Sequence, residues 1–219
     1  MGQSSGLLRQ RVLDWLADNV PESRINHILG VEKMAIDLAQ IHDQSVEKAA
    51  QAGLMHDLAK YFKPRRLLEM AKAEGLPLDP VDEINPHLLH ADISAIVARQ
   101  EFGIADPEIL EAIAHHTLGK PGMSALSCIV FLADTLEPGR GNTPELEQLR
   151  QVSRDNLDQA TWMVCDYSFR YLINTHRLIH PRTVLTRNWF LHQTTRSATS
   201  NHSATSNTDT APFPPYISV

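Results

Sequence analysis

Three observations predict an all-α domain. Apolar residues recur at helical spacing along most of the chain, alternating β-branched runs that would mark strands do not occur, and Asn, Asp or Thr followed by Pro opens several of the periodic segments. Leu7, Leu8, Val12, Leu13, Leu16 and Val20 form the first apolar stripe, and Ile25, Ile28, Leu29, Met34, Ile36, Leu38 and Ile41 the second. A third helix is expected from near Ser45 through EKAAQAGLMHDLAKYF. Pro64 stops it and opens RRLLEMAKAEG, which ends at Gly75. LPLDPVDEINP, rich in Pro and Asp, reads as a loop. Asn85 and Pro86 then form a cap and first-turn pair for HLLHADISAIVARQEF, and Asp106 with Pro107 repeats the signal for EILEAIAHH. SALSCIVFLADTL is a strongly apolar helix broken by EPGRGN, after which Thr143 and Pro144 start another. The last long helices are expected over roughly 155–178 and 183–191, for nine or ten helices in all.

The chain changes character at His192. Residues 192–219 are rich in Ser, Thr and Asn, and SATSN occurs twice. So little apolar surface cannot offset the entropy of ordering, so a disordered tail is expected after a domain of residues 1–191. That domain divides into a motif core at 20–150 and a helical extension at 151–191, whose Trp162, Phe169, Tyr171 and Leu172 could pack on the core or form a homodimer face.

The balance of charge excludes some partners. With 26 acidic and 20 basic residues the net charge is -6, without a basic cluster, which argues against a protein gripping many DNA or RNA phosphates. No run of 18 apolar residues occurs, so no membrane span is expected, and MGQSSGLLRQ lacks the pattern of a secretory signal. Cys128 and Cys165 lie in apolar stretches and read as reduced core residues of a cytoplasmic protein.

The placement of His and Asp carries the chemistry. Eleven histidines are many for 219 residues. His27 lies in RINHILGV, His56 and Asp57 in GLMHDLAK, His87 and His90 in PHLLHADISA, His115 and His116 in AIAHHTLGK, and Asp134 in IVFLADTLEPGR. A histidine on an apolar helix is more often a hydrogen-bonded core residue than a ligand, and His42 with Asp43 shows that His-Asp pairs also arise at surface caps. Asp134 among Phe131, Leu132, Ala133 and Leu136 is different, because an ionised carboxylate there is costly to bury without positive charge. A divalent metal supplies that charge, and imidazole with carboxylate suits Fe, Mn, Zn or Co better than Ca or Mg. No CxxC pair suggests a structural zinc.

Arg24-x-x-His27, GLMHDLAK, LLHADISA, HHTLGKPGM and FLADTLEPGR, in that order over roughly residues 20–150, resemble the HD-domain metal-dependent phosphohydrolases. More narrowly they are similar to the bacterial enzymes that split diadenosine tetraphosphate symmetrically. The resemblance implies a helical site holding two divalent metal ions, iron first with Mn, Co or Zn as alternatives. The ligands it implies are His27, His56, Asp57, His90, His116 and Asp134, with Asp57 bridging. It also implies hydrolysis of a dinucleoside polyphosphate to two ADP by a metal-activated water.

Lys60, Thr117, Lys120 and Arg140 stand just beyond the implied ligands and are the candidates for holding phosphate, Lys60 because it follows His56 by one helical turn. Asp57 and Lys60 are the candidate catalytic residues. His87 and His115 fall outside the ligand pattern. Leu118 stands where the family often has Thr, and Gly139-Arg140-Gly141 makes a looser turn than its usual Asn-Arg, so both bear on substrate positioning. Other readings remain open at this point: another nucleotide substrate such as guanosine tetraphosphate, a nucleoside monophosphate or a cyclic dinucleotide, a diiron oxygenase, or a non-catalytic metal-stabilised module.

Overall fold

The structure is a computed structural model that describes residues 2–202, with side-chain surroundings for residues 6–196. Eleven α-helices are found among the described residues, joined by turns, with no strand. In chain order they are α1 (Gly2–Asn19), α2 (Glu22–Ile41), α3 (Val46–Met55), α4 (Pro64–Ala73), α5 (Pro80–Ile84), α6 (His90–Phe102), α7 (Pro107–His115), α8 (Ala125–Leu136), α9 (Pro144–Asp155), α10 (Leu157–Asn174) and α11 (Pro181–His202). Short 3₁₀ turns cover Pro86–Leu89 and Pro138–Arg140.

The apolar character of α8 explains its place. Nine of its twelve residues are buried, from Leu126 through Ala133 and at Leu136, so it is covered on all sides rather than along one stripe. It contacts α2, α3, α7, α9 and α10, and the core is built around it. The α2 and α3 helices pack most extensively on each other among the elements of the motif core. Gly53 permits this, since a Cβ there would stand 3.0 Å from the Glu32 Cα. The extension packs on the same core: Phe190 of α11 is fully buried, and Trp162 and Phe169 of α10 lie against the buried cluster. Cys128 and Cys165 are buried free thiols. No helix among the described residues is long and apolar enough to cross a membrane.

Most helix starts follow the sequence signals. Ser45, Asp106 and Thr143 accept hydrogen bonds from the backbone amides of Lys48, Glu108 and Leu146. Each such cap contributes about 1 kcal/mol.

Elsewhere the side chains redraw the expected boundaries. The third helix ends at Met55 rather than running to Phe62, because His56 Nδ1 takes the Gly53 carbonyl at 2.7 Å that would have held the next helical amide. The chain then continues in i,i+3 turns, such as Lys60 N to Asp57 O at 3.0 Å. The expected loop after Gly75 contains α5, closed by a capping box between Asp79 and Asp82. Asn85 makes no side-chain cap, and α6 begins at His90, after a 3₁₀ turn, rather than at Pro86. Asp43 adopts φ 52° just past α2, so the His42-Asp43 pair terminates one helix instead of starting the next. Finally, α11 continues to His202, past the boundary expected at residue 191, and residues 203–219 of the expected tail lie outside the described residues. Extending a helix already anchored by Phe190 is far easier than nucleating one, and Thr194 and Thr195 keep their hydroxyls bonded to the carbonyl of Leu191.

Candidate functional site

Three of the predicted residues stand at helix ends, and their attachment is the same. His56 follows α3, His90 opens α6 and His116 follows α7. Each ring donates Nδ1–H to the carbonyl three residues earlier, of Gly53 (2.7 Å), His87 (2.5 Å) and Ile113 (2.8 Å). With Nδ1 so engaged, the neutral ring presents a bare Nε2 lone pair to the interior. The sequence thus fixes both the ring direction and its tautomer within one turn of backbone.

The Nε2 atoms converge on Asp57, which is 1% exposed. Asp57 Oδ1 lies 3.2 Å from His90 Nε2 and 3.6 Å from His116 Nε2, and Oδ2 lies 3.5 Å from His56 Nε2 and 3.1 Å from the Arg24 guanidinium. His27 reaches the cluster from α2. Its Nε2 is 3.0 Å from Asp134 Oδ1, and its Nδ1 is 2.9 Å from Glu137 Oε1. The second contact is a carboxylate–histidine pairing of the kind that orients a metal ligand from behind. Asp134 Oδ1 is also 2.7 Å from Arg140 and 3.8 Å from His56 Nε2. All six expected ligand residues therefore meet, although they come from α2, α6, α8 and the turns after α3 and α7.

Electrostatics follow from this crowding. Burial pushes the Asp57 carboxyl up, but His56, with His116 and His90, outweighs it and holds the group well below its ordinary value. Burial likewise opposes ionisation of Asp134, and the His27 contact and neighbouring positive charges overcome it. Burial depresses His56, yet Asp57 wins and raises it. His90, where burial leads and the Lys60 charge adds, is pushed down to about 4 against the pull of Asp57.

These residues fit a cation. His56 Nε2 and Asp57 Oδ1 are buried with no hydrogen-bond partner, which costs about 1–3 kcal/mol for each group left unsatisfied. His90 Nε2 and His116 Nε2 stand 3.1 Å apart, and two lone pairs do not attract at that distance. A divalent ion resolves both problems, and imidazole with carboxylate is a donor set for a transition metal. Two overlapping groups, His27–His56–Asp57 and Asp57–His90–His116, each keep their ligand atoms within 4.8 Å of one another, and Asp57 belongs to both.

A cleft of about 670 Å³ opens onto this cluster, lined at its inner end by His116, Asp134, Lys60 and Thr117. Lys60 Nζ is 3.0 Å from His90 Nε2, and the Thr117 hydroxyl is 3.1 Å from the same atom. Lys60 thus reaches the site from a non-helical turn, not by the helical spacing that singled it out. Arg140 is held on Asp134 and on its carbonyl, outside the cleft lining. Lys120 is exposed and also outside it. His87 contributes its carbonyl rather than its ring. His115 is half-buried with Nδ1 unpartnered. Burial, then Lys120 and Arg182, push it down to about 4.

Two participants were given no role by sequence reasoning, although both stand inside the motifs. Arg24 begins Arg24-x-x-His27 and holds Asp57, while Glu137 begins the EPGR turn and holds His27. Gly30 makes room for the latter, since a Cβ there would approach Glu137 Oε2 to 2.6 Å.

Residues 24–139 match the HD domain family. The chain is 32% identical over 183 residues to a Bacillus subtilis protein named symmetrical bis(5'-nucleosyl)-tetraphosphatase, covering 84% of this chain and 97% of the relative. A protein of the same name from Halalkalibacterium halodurans is 34% identical with the same coverage. The fold also matches a crystal structure from Clostridium acetobutylicum described as a predicted HD superfamily hydrolase involved in NAD metabolism. The TM-score is 0.80 at 35% identity, over 84% of this chain and 97% of that one.

Proposed function

The chain belongs to the HD-domain family, and on that premise we propose that it is a metal-dependent hydrolase that splits diadenosine tetraphosphate symmetrically into two ADP. The observation that carries the reading is the convergence of His27, His56, His90 and His116 on Asp57 at the inner end of a cleft that also holds Lys60. The relatives that share most of this chain are named for that activity.

In this reading His27, His56, Asp57 and Asp134 hold one divalent cation, and Asp57, His90 and His116 hold a second, iron being the first candidate and Mn, Co or Zn the alternatives. When bound there, the two ions supply an acidified water and a counter-charge for the phosphoryl oxygens. The chain's own groups orient the substrate. The Lys60 ammonium and the Thr117 hydroxyl face the cleft beside His90, where they hold phosphate oxygens of the polyphosphate. Arg140 fixes the Asp134 carboxylate, and with the exposed Lys120 it attracts the polyanion by charge rather than by contact. The enzyme works in the cytoplasm on a small-molecule nucleotide and needs no DNA or RNA polymer.

Metal analysis of the purified protein, combined with product analysis on diadenosine tetraphosphate, tests this. The expected result is about two transition-metal ions per chain and ADP as the sole nucleotide product. AMP with ATP would overturn symmetrical cleavage, and no hydrolysis by metal-loaded protein would overturn the substrate.

A further inference from the structure

The outer half of the cleft is built by residues beyond 24–139, the part that matches the family. Its wall is the C-terminal end of α10 and the turn into α11, which contribute Tyr171, His176, Arg177 and Leu178. Tyr171 is 56% exposed and Leu178 is 53% exposed, so an aromatic and an aliphatic side chain face the cleft uncovered. The Arg177 guanidinium lies 5.9 Å from the centroid of the Tyr171 ring and makes no ion pair among the described residues. An aromatic face with a planar cation beside it is a platform on which a nucleobase stacks.

The backbone holds this platform in place. Arg177 N donates to Leu172 O at 2.8 Å and His176 N to Ile173 O at 3.1 Å, the paired bonds that close a helix through a left-handed residue. The left-handed position is His176, at φ 54°, where glycine is the usual occupant. A histidine there is strained by about 1 kcal/mol. The strained residue stands in the cleft wall, next to the free guanidinium.

We propose that Tyr171 and Arg177 form the nucleoside seat of the cleft, stacking the base of one ADP half while Lys60 and Thr117 hold its phosphates. This rests on the reading of the site as a nucleotide hydrolase, and it assigns the choice of nucleoside over bare polyphosphate to the extension rather than to the family core. Occupancy follows from continuity and charge. A single cleft runs from the seat to the Asp57 cluster, and both ends offer cations to an anionic ligand with a flat base.

The test compares calorimetric titration of metal-loaded wild type, Tyr171→Ala, Tyr171→Phe and Arg177→Ala with ADP and with inorganic pyrophosphate. Tyr171 is exposed, so a thermal melt is expected to show all variants folded. The expected result is a loss of ADP affinity of roughly tenfold or more in Tyr171→Ala, a smaller loss in Arg177→Ala, near wild-type binding in Tyr171→Phe, and pyrophosphate binding unchanged throughout. Unchanged ADP affinity in Tyr171→Ala overturns the seat, as does a parallel loss of pyrophosphate. Diadenosine tetraphosphate turnover by wild type is read separately. Selective ADP loss without turnover leaves the seat standing and sinks the hydrolase reading, whereas turnover with no ADP loss does the reverse.

Discussion

Replacing Glu137 with Ala isolates the support behind the metal centre from the ligands themselves. Glu137 is buried, and its carboxylate accepts from His27 Nδ1 at 2.9 Å and from the Gly139 amide at 2.6 Å. Losing an outer partner of this kind lowers metal affinity about 10–100-fold. That corresponds to roughly 1.4–2.7 kcal/mol. The Gly139 amide is exposed and turns to water, so losing its bond to Glu137 costs only about 0.5–1.5 kcal/mol of fold stability. His90 and His116 do not touch Glu137, so the weakening is expected at the His27 position only. Glu137→Gln keeps one acceptor oxygen in place of two and falls between. Gly30→Ala reaches the same carboxylate from the other side, because its Cβ would stand 2.6 Å from Oε2. The assay is chelator-competition titration of each variant, with metal content per chain and a melt in metal-free buffer. Unchanged affinity and stoichiometry in Glu137→Ala would refute the claim that Glu137 sets the His27 ring.

Three further outcomes are expected. Asp57→Ala abolishes hydrolysis and reduces bound metal, since that carboxylate belongs to both ligand groups; a variant with full activity would remove its bridging role. Lys60→Ala leaves metal content intact and lowers turnover by about tenfold or more, so metal loss in that variant would place Lys60 in the wrong role. Acid sensitivity of the metal-free protein tests His90 and His115, both pushed from 6.5 down to about 4 in the fold. Between those values the unfolded chain binds more protons, so stability rises with pH across the window and is lost on acidification. His115→Phe removes one contributor and makes the slope of unfolding free energy shallower by up to about 1.4 kcal/mol per pH unit. Urea melts from pH 4 to 7 read this directly, and an unaltered slope would show that His115 is not held neutral by its surroundings.

The site was more legible in the sequence than its scaffold boundaries. Ligand-type side chains embedded in apolar helices stand out because burying them alone is unfavourable, and the ordered motifs identified His27, His56, Asp57, His90, His116 and Asp134, all of which meet in space. The end of α3 was not legible, because a side chain rather than a Gly or Pro stops it: His56 takes the carbonyl that helical continuation needs. Lys60 was selected by a helical spacing that does not exist, yet the turn that replaces the helix delivers it to His90. Lys120, chosen because it follows the His116 motif, is exposed and does not line the cleft. Glu137 escaped because EPGRGN reads only as the break of an apolar helix, and its partner His27 is 110 residues away in the chain. Nothing in the sequence places Tyr171 beside Arg177 in a cleft, since that depends on how α10 packs against α8 and α11.

The tethering of His56, His90 and His116 to carbonyls only three residues upstream has a bearing on how the centre is made. Each donor takes its bearing from its own stretch of backbone, so the receptacle is ready as soon as the helices dock. An arriving ion then meets open lone pairs and ionised carboxylates rather than a protein that must reorganise, and acid opposes its uptake by protonating those same groups.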